Sequence, residues 1–256
     1  MARKALLRSG MKNENRSYIH LYWLAYTALL LCNGYYNPIL ARFPEAFWLA
    51  DLVTSILLPV LALQHLAKTR EESVAETLRW LNFGEAFNFS WLTGMGLLPI
   101  SLILISAFRA GHWMMYWLAP ELSEPFFGYG SMLPSGALQR EIVILYYALT
   151  AGIGEEIFFR AMPYHLHPWI GRRPFLYLIA TSAIFAALHW EQNIWGLMAT
   201  FLYGLIFGSY YLKSRSLIGP ILLHSLIDWF VFHSVTSRVV DDGLGLLLRM
   251  IADLLR

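Results

Sequence analysis

Gly152-Ile-Gly-Glu155-Glu156-Ile-Phe-Phe-Arg160 sets two adjacent carboxylates and a guanidinium inside a run that is otherwise apolar. An ionisable side chain at the centre of a membrane helix costs roughly 2.5 to 3.5 kcal/mol on insertion scales, so three in so short a stretch point to function. On a helix, Glu156 and Arg160 stand at i and i+4 with the acid on the N-terminal side, the favourable order for a salt bridge. Glu155 points about 100° away from that pair and is the carboxylate left free for chemistry.

The surroundings explain why a membrane frame applies. The 256 residues are 57% hydrophobic, 16% aromatic and 14% charged, the composition of a polytopic membrane protein. The expected fold is therefore all-α, a polytopic membrane bundle of seven to eight transmembrane helices forming a single domain over residues 1–256. Apolar runs over about 18–40, 46–67, 91–110, 141–167, 174–191, 196–212 and 217–235 supply the spans, most of them near the roughly 20 residues that a bilayer core requires. Residues 1–17 carry Arg3, Lys4, Arg8, Lys12 and Arg16 with no small-residue cleavage site after them, and read as a cytoplasmic tail before an uncleaved anchor. With the N-terminus inside, the inner connections hold Lys68, Arg70 and Arg79, then Arg172 and Arg173, then Lys213 and Arg215, as the positive-inside rule demands. Compact length and the absence of an organelle signal favour a bacterial inner membrane.

Other stretches have simpler readings. Trp23, Trp48, Trp91, Trp113, Trp117, Trp169, Trp190 and Trp195 fall near the expected helix ends, as an interfacial aromatic belt would place them. Glu71 to Leu81 reads as a surface amphipathic helix, and 243–256 as an amphipathic helix lying along an interface. The Pro-, Gly- and Phe-rich loop from Pro120 to Gly136 reads as an outside connection able to form a lid. Cys32, the single cysteine, is expected to pack in the first span as a small hydrophobe. A net charge of +2 with basic residues in short clusters speaks against nucleic acid as a partner.

Two more polar pairs lie in apolar runs downstream. Phe185-Ala-Ala-Leu-His189 and His224-Ser-Leu-Ile-Asp228 each set two functional side chains at i and i+4, on one helical face. The ordered trio Glu-Glu-x-x-x-Arg, Phe-x-x-x-His and His-x-x-x-Asp over about residues 139–231 resembles the CPBP family, the CAAX-processing and bacteriocin-processing glutamic intramembrane proteases. That resemblance implies a site without metal or cofactor in which Glu155 and His189 bind and activate water. It implies that His224 and residue 228 stabilise the tetrahedral intermediate, with Glu156, Arg160 and Phe185 in support. The implied partner is a hydrophobic, lipidated or membrane-anchored protein or peptide substrate reached within the lipid bilayer; oligomeric state is left open.

One departure matters. Position 228 is Asp where many relatives carry Asn, and an ionised carboxylate cannot donate a hydrogen bond to an oxyanion. Either burial keeps Asp228 protonated, or it orients and charges His224 so that the imidazole alone donates. Other readings are a zinc-dependent membrane protease, since Glu, His and Asp are zinc ligands although His-Glu-x-x-His is missing, and a non-enzymatic scaffold, immunity protein or transporter. His165, His167 and His233 read as interfacial. Counted along the helices, Glu155 and His189 lie roughly 20 Å from the inner boundary and His224 only about 10 Å, a mismatch in depth.

Overall fold

The computed structural model describes residues 13–83, 96–118 and 128–233, together with 242, 243 and 246. The interfacial helix expected over 243–256 and nearly all of the basic tail lie outside the described residues, although helix begins by Asn13 rather than after residue 17. In chain order the helices are α1 (Asn13–Leu31), α2 (Asn33–Leu40), α3 (Pro44–Arg70), α4 (Val74–Trp80), α5 (Leu97–Leu118), α6 (Ala137–Leu166), α7 (Pro168–Gly171), α8 (Pro174–Ala187), α9 (Asn193–Ser214) and α10 (Ile218–Phe232). Short 3₁₀ turns cover Tyr129–Met132 and Trp190–Gln192, and no strand occurs among the described residues. Pro44–Arg70, Ala137–Leu166 and Trp190–Ser214 are long and apolar enough to cross a membrane, and Ile19–Leu31, Pro99–Gly111, Pro174–Ala187 and Ile218–Phe232 are shorter apolar helices.

The core pairs α8 with α9 and α6 with α10. Small residues allow these approaches, as expected where close packing rather than the hydrophobic effect holds helices together. A Cβ on Gly152 would strike the backbone of Ile221 and the side chain of Ser225, and one on Gly204 would lie 2.8 Å from the Cα of Ser182. The first contact sets α6 against α10 one turn before the paired glutamates.

Both long helices preceding the site contain a π turn, Val53–Leu57 in α3 and Ile157–Ala161 in α6. Each is followed two residues on by a proline, Pro59 and Pro163. A proline lacks the N–H that would bond the carbonyl four residues back, so the ladder opens there. In α6, other donors meet the loosened carbonyls: Trp23 Nε1 donates to Phe158 O at 2.7 Å, Arg160 Nη1 to Phe159 O at 3.2 Å and Tyr177 Oη to Arg160 O at 3.0 Å. Trp23 is thus a core residue, 8% exposed, and not part of an interfacial belt.

The structure corrects several boundaries. The first expected span breaks at Cys32 into α1 and α2, where Trp190 Nε1 donates to the Leu31 carbonyl at 2.8 Å. Cys32 lies exposed on the outside of that break rather than packed. The helix expected over 71–81 starts only at Val74, because Glu71 adopts a left-handed backbone (φ 56°) and Ser73 forms a capping box with Glu76. Helix α8 stops at Ala187, so His189 stands in the turn beyond it rather than on its face. The depth mismatch disappears because α10 starts inside the protein: Leu217 is fully buried and its N–H donates to the Asn82 carbonyl at 3.0 Å.

The basic connections converge at one end. Arg70 lies over the Trp80 ring at 3.9 Å and Arg215 over Tyr164 at 4.5 Å. His165 packs among these aromatics, 4.4 Å from Trp80 between ring centroids, and His167 against His20 at 4.6 Å, so both belong to packed ring clusters rather than to a bare interface. At the other end His233 Nε2 meets Glu141 at 2.7 Å.

Candidate active site

Helix α6 delivers the paired glutamates one turn after its close contact with α10. Glu156 and Arg160 are both 0% exposed, with Arg160 Nε 3.3 Å from Glu156 Oε2. The guanidinium also covers the Phe185 ring at 4.5 Å, a cation–π contact in which the face of the ring replaces water around the buried charge. Phe185 serves more than one partner. Its ring lies 5.0 Å from that of His189 and 5.7 Å from that of His224. Phe207, on α9, stacks on His224 at 4.9 Å.

His224 is held from both sides. Its Nδ1 lies 3.0 Å from Glu156 Oε1, so the ring donates there, and its Nε2 faces Asp228 Oδ2 at 3.5 Å and Glu155 Oε2 at 4.0 Å. Sequence reasoning paired Glu156 with Arg160 alone. The structure adds the His224 bond, and it is Glu156 rather than Asp228 that holds the ring by a short hydrogen bond. Glu155 differs from its neighbour in having no short partner: its nearest charged contact is His224 Nε2 at 4.0 Å, whereas Glu156 meets His224 Nδ1 at 3.0 Å and Arg160 Nε at 3.3 Å. His189 Nδ1 lies 2.9 Å from the Phe185 carbonyl. A carbonyl only accepts, so Nδ1 carries a hydrogen, and in the neutral ring Nε2 has the lone pair.

Glu155, His189, His224 and Asp228 all border one cavity of about 600 Å³. The structure thus brings all four together, with Phe185 in its wall and Glu156 and Arg160 behind it. Among the described residues no three His, Cys, Asp or Glu side chains gather as ligands for a metal ion.

Residues 138–230 match the family model described as Type II CAAX prenyl endopeptidase Rce1-like. Over this segment, a little more than a third of the chain, the protein is similar to the Rce1-like family. No curated protein and no solved structure matches the chain. The Rce1-like segment carries all three polar pairs and agrees with the CPBP resemblance read from them.

Part of the cavity comes from outside the Rce1-like segment and was missed in the sequence. Asn33 and Asn37 on α2 are buried and line it, with Asn33 Nδ2 donating to Leu188 O at 3.0 Å and Asn37 Nδ2 to Tyr129 Oη at 2.9 Å. Asp51 on α3 accepts from Tyr146 Oη at 2.6 Å and from Ser55 Oγ at 3.2 Å. Glu191, two residues after His189, is buried as well. The cost of intramembrane polar groups that singled out Glu155 applied equally to Asn33, Asn37 and Asp51, which also sit in apolar runs.

Proposed function

We infer that the protein is a CAAX-type intramembrane endopeptidase that hydrolyses a peptide bond in a hydrophobic, lipidated or membrane-anchored substrate, with Glu155 as the general base. The protease family of residues 138–230 supports hydrolysis of a peptide, and the apolar helices support an integral membrane protein. The observation that carries the assignment is the contrast between the two neighbouring carboxylates. Glu156 is held by Arg160 and His224 outside the cavity lining, whereas Glu155 lines the cavity and has no charged contact shorter than the 4.0 Å to His224 Nε2.

In this reading a water rests between Glu155 and His189, whose Nε2 lone pair accepts one of its hydrogens. Glu155 takes the other proton as the water oxygen bonds to the scissile carbonyl carbon, and the carbonyl electron pair moves to its oxygen. A doubly protonated His224, held through Nδ1 by Glu156, donates from Nε2 to that oxyanion. Collapse of the intermediate breaks the C–N bond, and the leaving amine takes the proton from Glu155. Asp228, near the same Nε2, supports the charged ring. The three long and four shorter apolar helices would make up a bundle of seven spans in one membrane domain, with the basic end cytoplasmic.

The test is comparative proteomics of membrane and secreted fractions from cells with active protein, without it, and with Glu155→Gln. Peptides with new termini that appear only when Glu155 is present are expected. A set of termini indifferent to Glu155 would overturn the assignment.

A further inference from the structure

Among the side chains bordering the cavity, Glu155 Oε2, Asn33 Oδ1 and both carboxylate oxygens of Glu191 are buried acceptors with no hydrogen bond of ordinary geometry. The attacking water accounts for the first. Nothing in the proposed hydrolysis uses the others. Glu191 is 0% exposed; the Gln192 side chain and the His189 ring are close enough to act on it, but among the described residues no Lys or Arg forms an ion pair with it. The residue after Asn33 touches it: a Cβ on Gly34 would lie 2.8 Å from Glu191 Cβ, so α2 presses directly on the 190–192 turn. Asn33 in turn commits its amide donor to the Leu188 carbonyl at 3.0 Å, which leaves only its oxygen unmatched.

The result is a stretch of cavity wall in which, among the described residues, a buried carboxylate and an amide oxygen face only the neutral Gln192 amide and the His189 ring, with no permanent cation. A buried polar atom left unpaired costs about 1 to 3 kcal/mol, and more when it is charged, so a site of this kind is completed by what enters it. The group that brings several N–H donors and a compensating positive charge together is an ammonium or guanidinium. We propose that Glu191 and Asn33 form a cation subsite of the cavity that takes a Lys or Arg side chain, or an amino-terminal ammonium, of the peptide substrate. The subsite rests on the peptidase reading for the nature of its ligand, and makes that reading more specific: the enzyme selects peptides with a positive group near the scissile bond.

The test measures binding apart from turnover. Full-length Glu155→Gln protein in nanodiscs is titrated with blocked apolar hexapeptides that carry either Lys or its uncharged analogue norleucine at one central position. A third peptide, with norleucine and a free amino terminus, separates a side-chain cation from a terminal one. The Lys peptide, the free-amine peptide or both should bind about tenfold to a hundredfold more tightly than the blocked norleucine peptide, the range expected for a charge-assisted hydrogen bond. That ratio should fall to about one when Glu191→Gln is added, and should be partly kept by Glu191→Asp, with thermal melting as the check on folding. Equal affinity of all three peptides, undetectable binding of all included, overturns the subsite; so does discrimination that survives Glu191→Gln. Cleavage of the same peptides by the wild-type protein is scored separately. An absence of cleavage then counts against the peptidase reading, and the affinity ratio still decides the subsite.

Discussion

Glu156 and His224 lie 68 positions apart in the chain and meet at 3.0 Å in its interior. The same carboxylate faces Arg160, so one acid ties α6 to α10 and neutralises a buried guanidinium. Breaking a buried pair by removing one partner is strongly destabilising, by about 3 to 5 kcal/mol, because the other charge is left stranded. Glu156→Ala should therefore unfold at markedly lower denaturant concentration or temperature than wild type, measured on purified protein in detergent. A wild-type melting curve would show that the Arg160 charge is met in some other way.

The adjacent position should behave in the opposite manner. Glu155 holds no short bond, so Glu155→Gln should fold and melt as wild type while cleavage falls by about 100- to 10,000-fold, the usual contribution of a general base. Full activity of this variant in a purified assay would remove Glu155 from the reaction.

Asp228 separates two functions by substitution. An asparagine there can donate to an oxyanion, and a leucine cannot. Asp228→Asn should keep most of its activity because its amide can donate directly, whereas Asp228→Leu, which strips the support from the His224 donor and puts nothing in its place, should lose about 100-fold or more in turnover. Equal losses in the two variants would place residue 228 outside the reaction and assign it to packing.

The donor from α1 to the π turn has its own test. Trp23→Phe keeps an aromatic ring but removes the pyrrole half of the indole, so it leaves a small cavity and strands the Phe158 carbonyl, 2.7 Å from the lost N–H. A loss of about 1 to 3 kcal/mol in stability is expected from the stranded acceptor. Unchanged stability would mean that the π turn needs no outside donor.

Orientation is read by labelling. Ser131 precedes the start of α6 and Ser214 adjoins Arg215, which lies over Tyr164 near the end of α6, so with the basic end cytoplasmic an engineered thiol at Ser131 reacts with an impermeant reagent from outside while one at Ser214 does not. The reverse pattern inverts the topology. Cleavage in these preparations should also persist through chelator treatment, and activity lost to a chelator and restored by zinc would favour the metalloprotease alternative.

What the sequence reveals follows from the range over which each signal acts. Glu156 with Arg160 was readable because both residues belong to one helix, where spacing alone sets them side by side. The Glu156–His224 bond was not, since it depends on how α6 meets α10, and the glycine contact at Gly152 that fixes this carries no label in the sequence. Trp23 shows a different failure. An apolar ring with one N–H suits both a membrane interface and a core with a free carbonyl, and only the π turn at Ile157–Ala161 decides between them. Pro163 signals that turn in retrospect, as Pro59 does its counterpart in α3. His189 was assigned correctly to the neighbourhood of Phe185 but for the wrong backbone reason, since its helix had already ended.

The break between α1 and α2 has a practical consequence. Cys32 is the chain's single thiol, it is exposed there, and the next residue, Asn33, lines the cavity. An environment-sensitive fluorophore attached to Cys32 in the otherwise native sequence would sit one residue from the cavity wall. Its emission would report ligand entry in real time, in a protein that needs no engineered label.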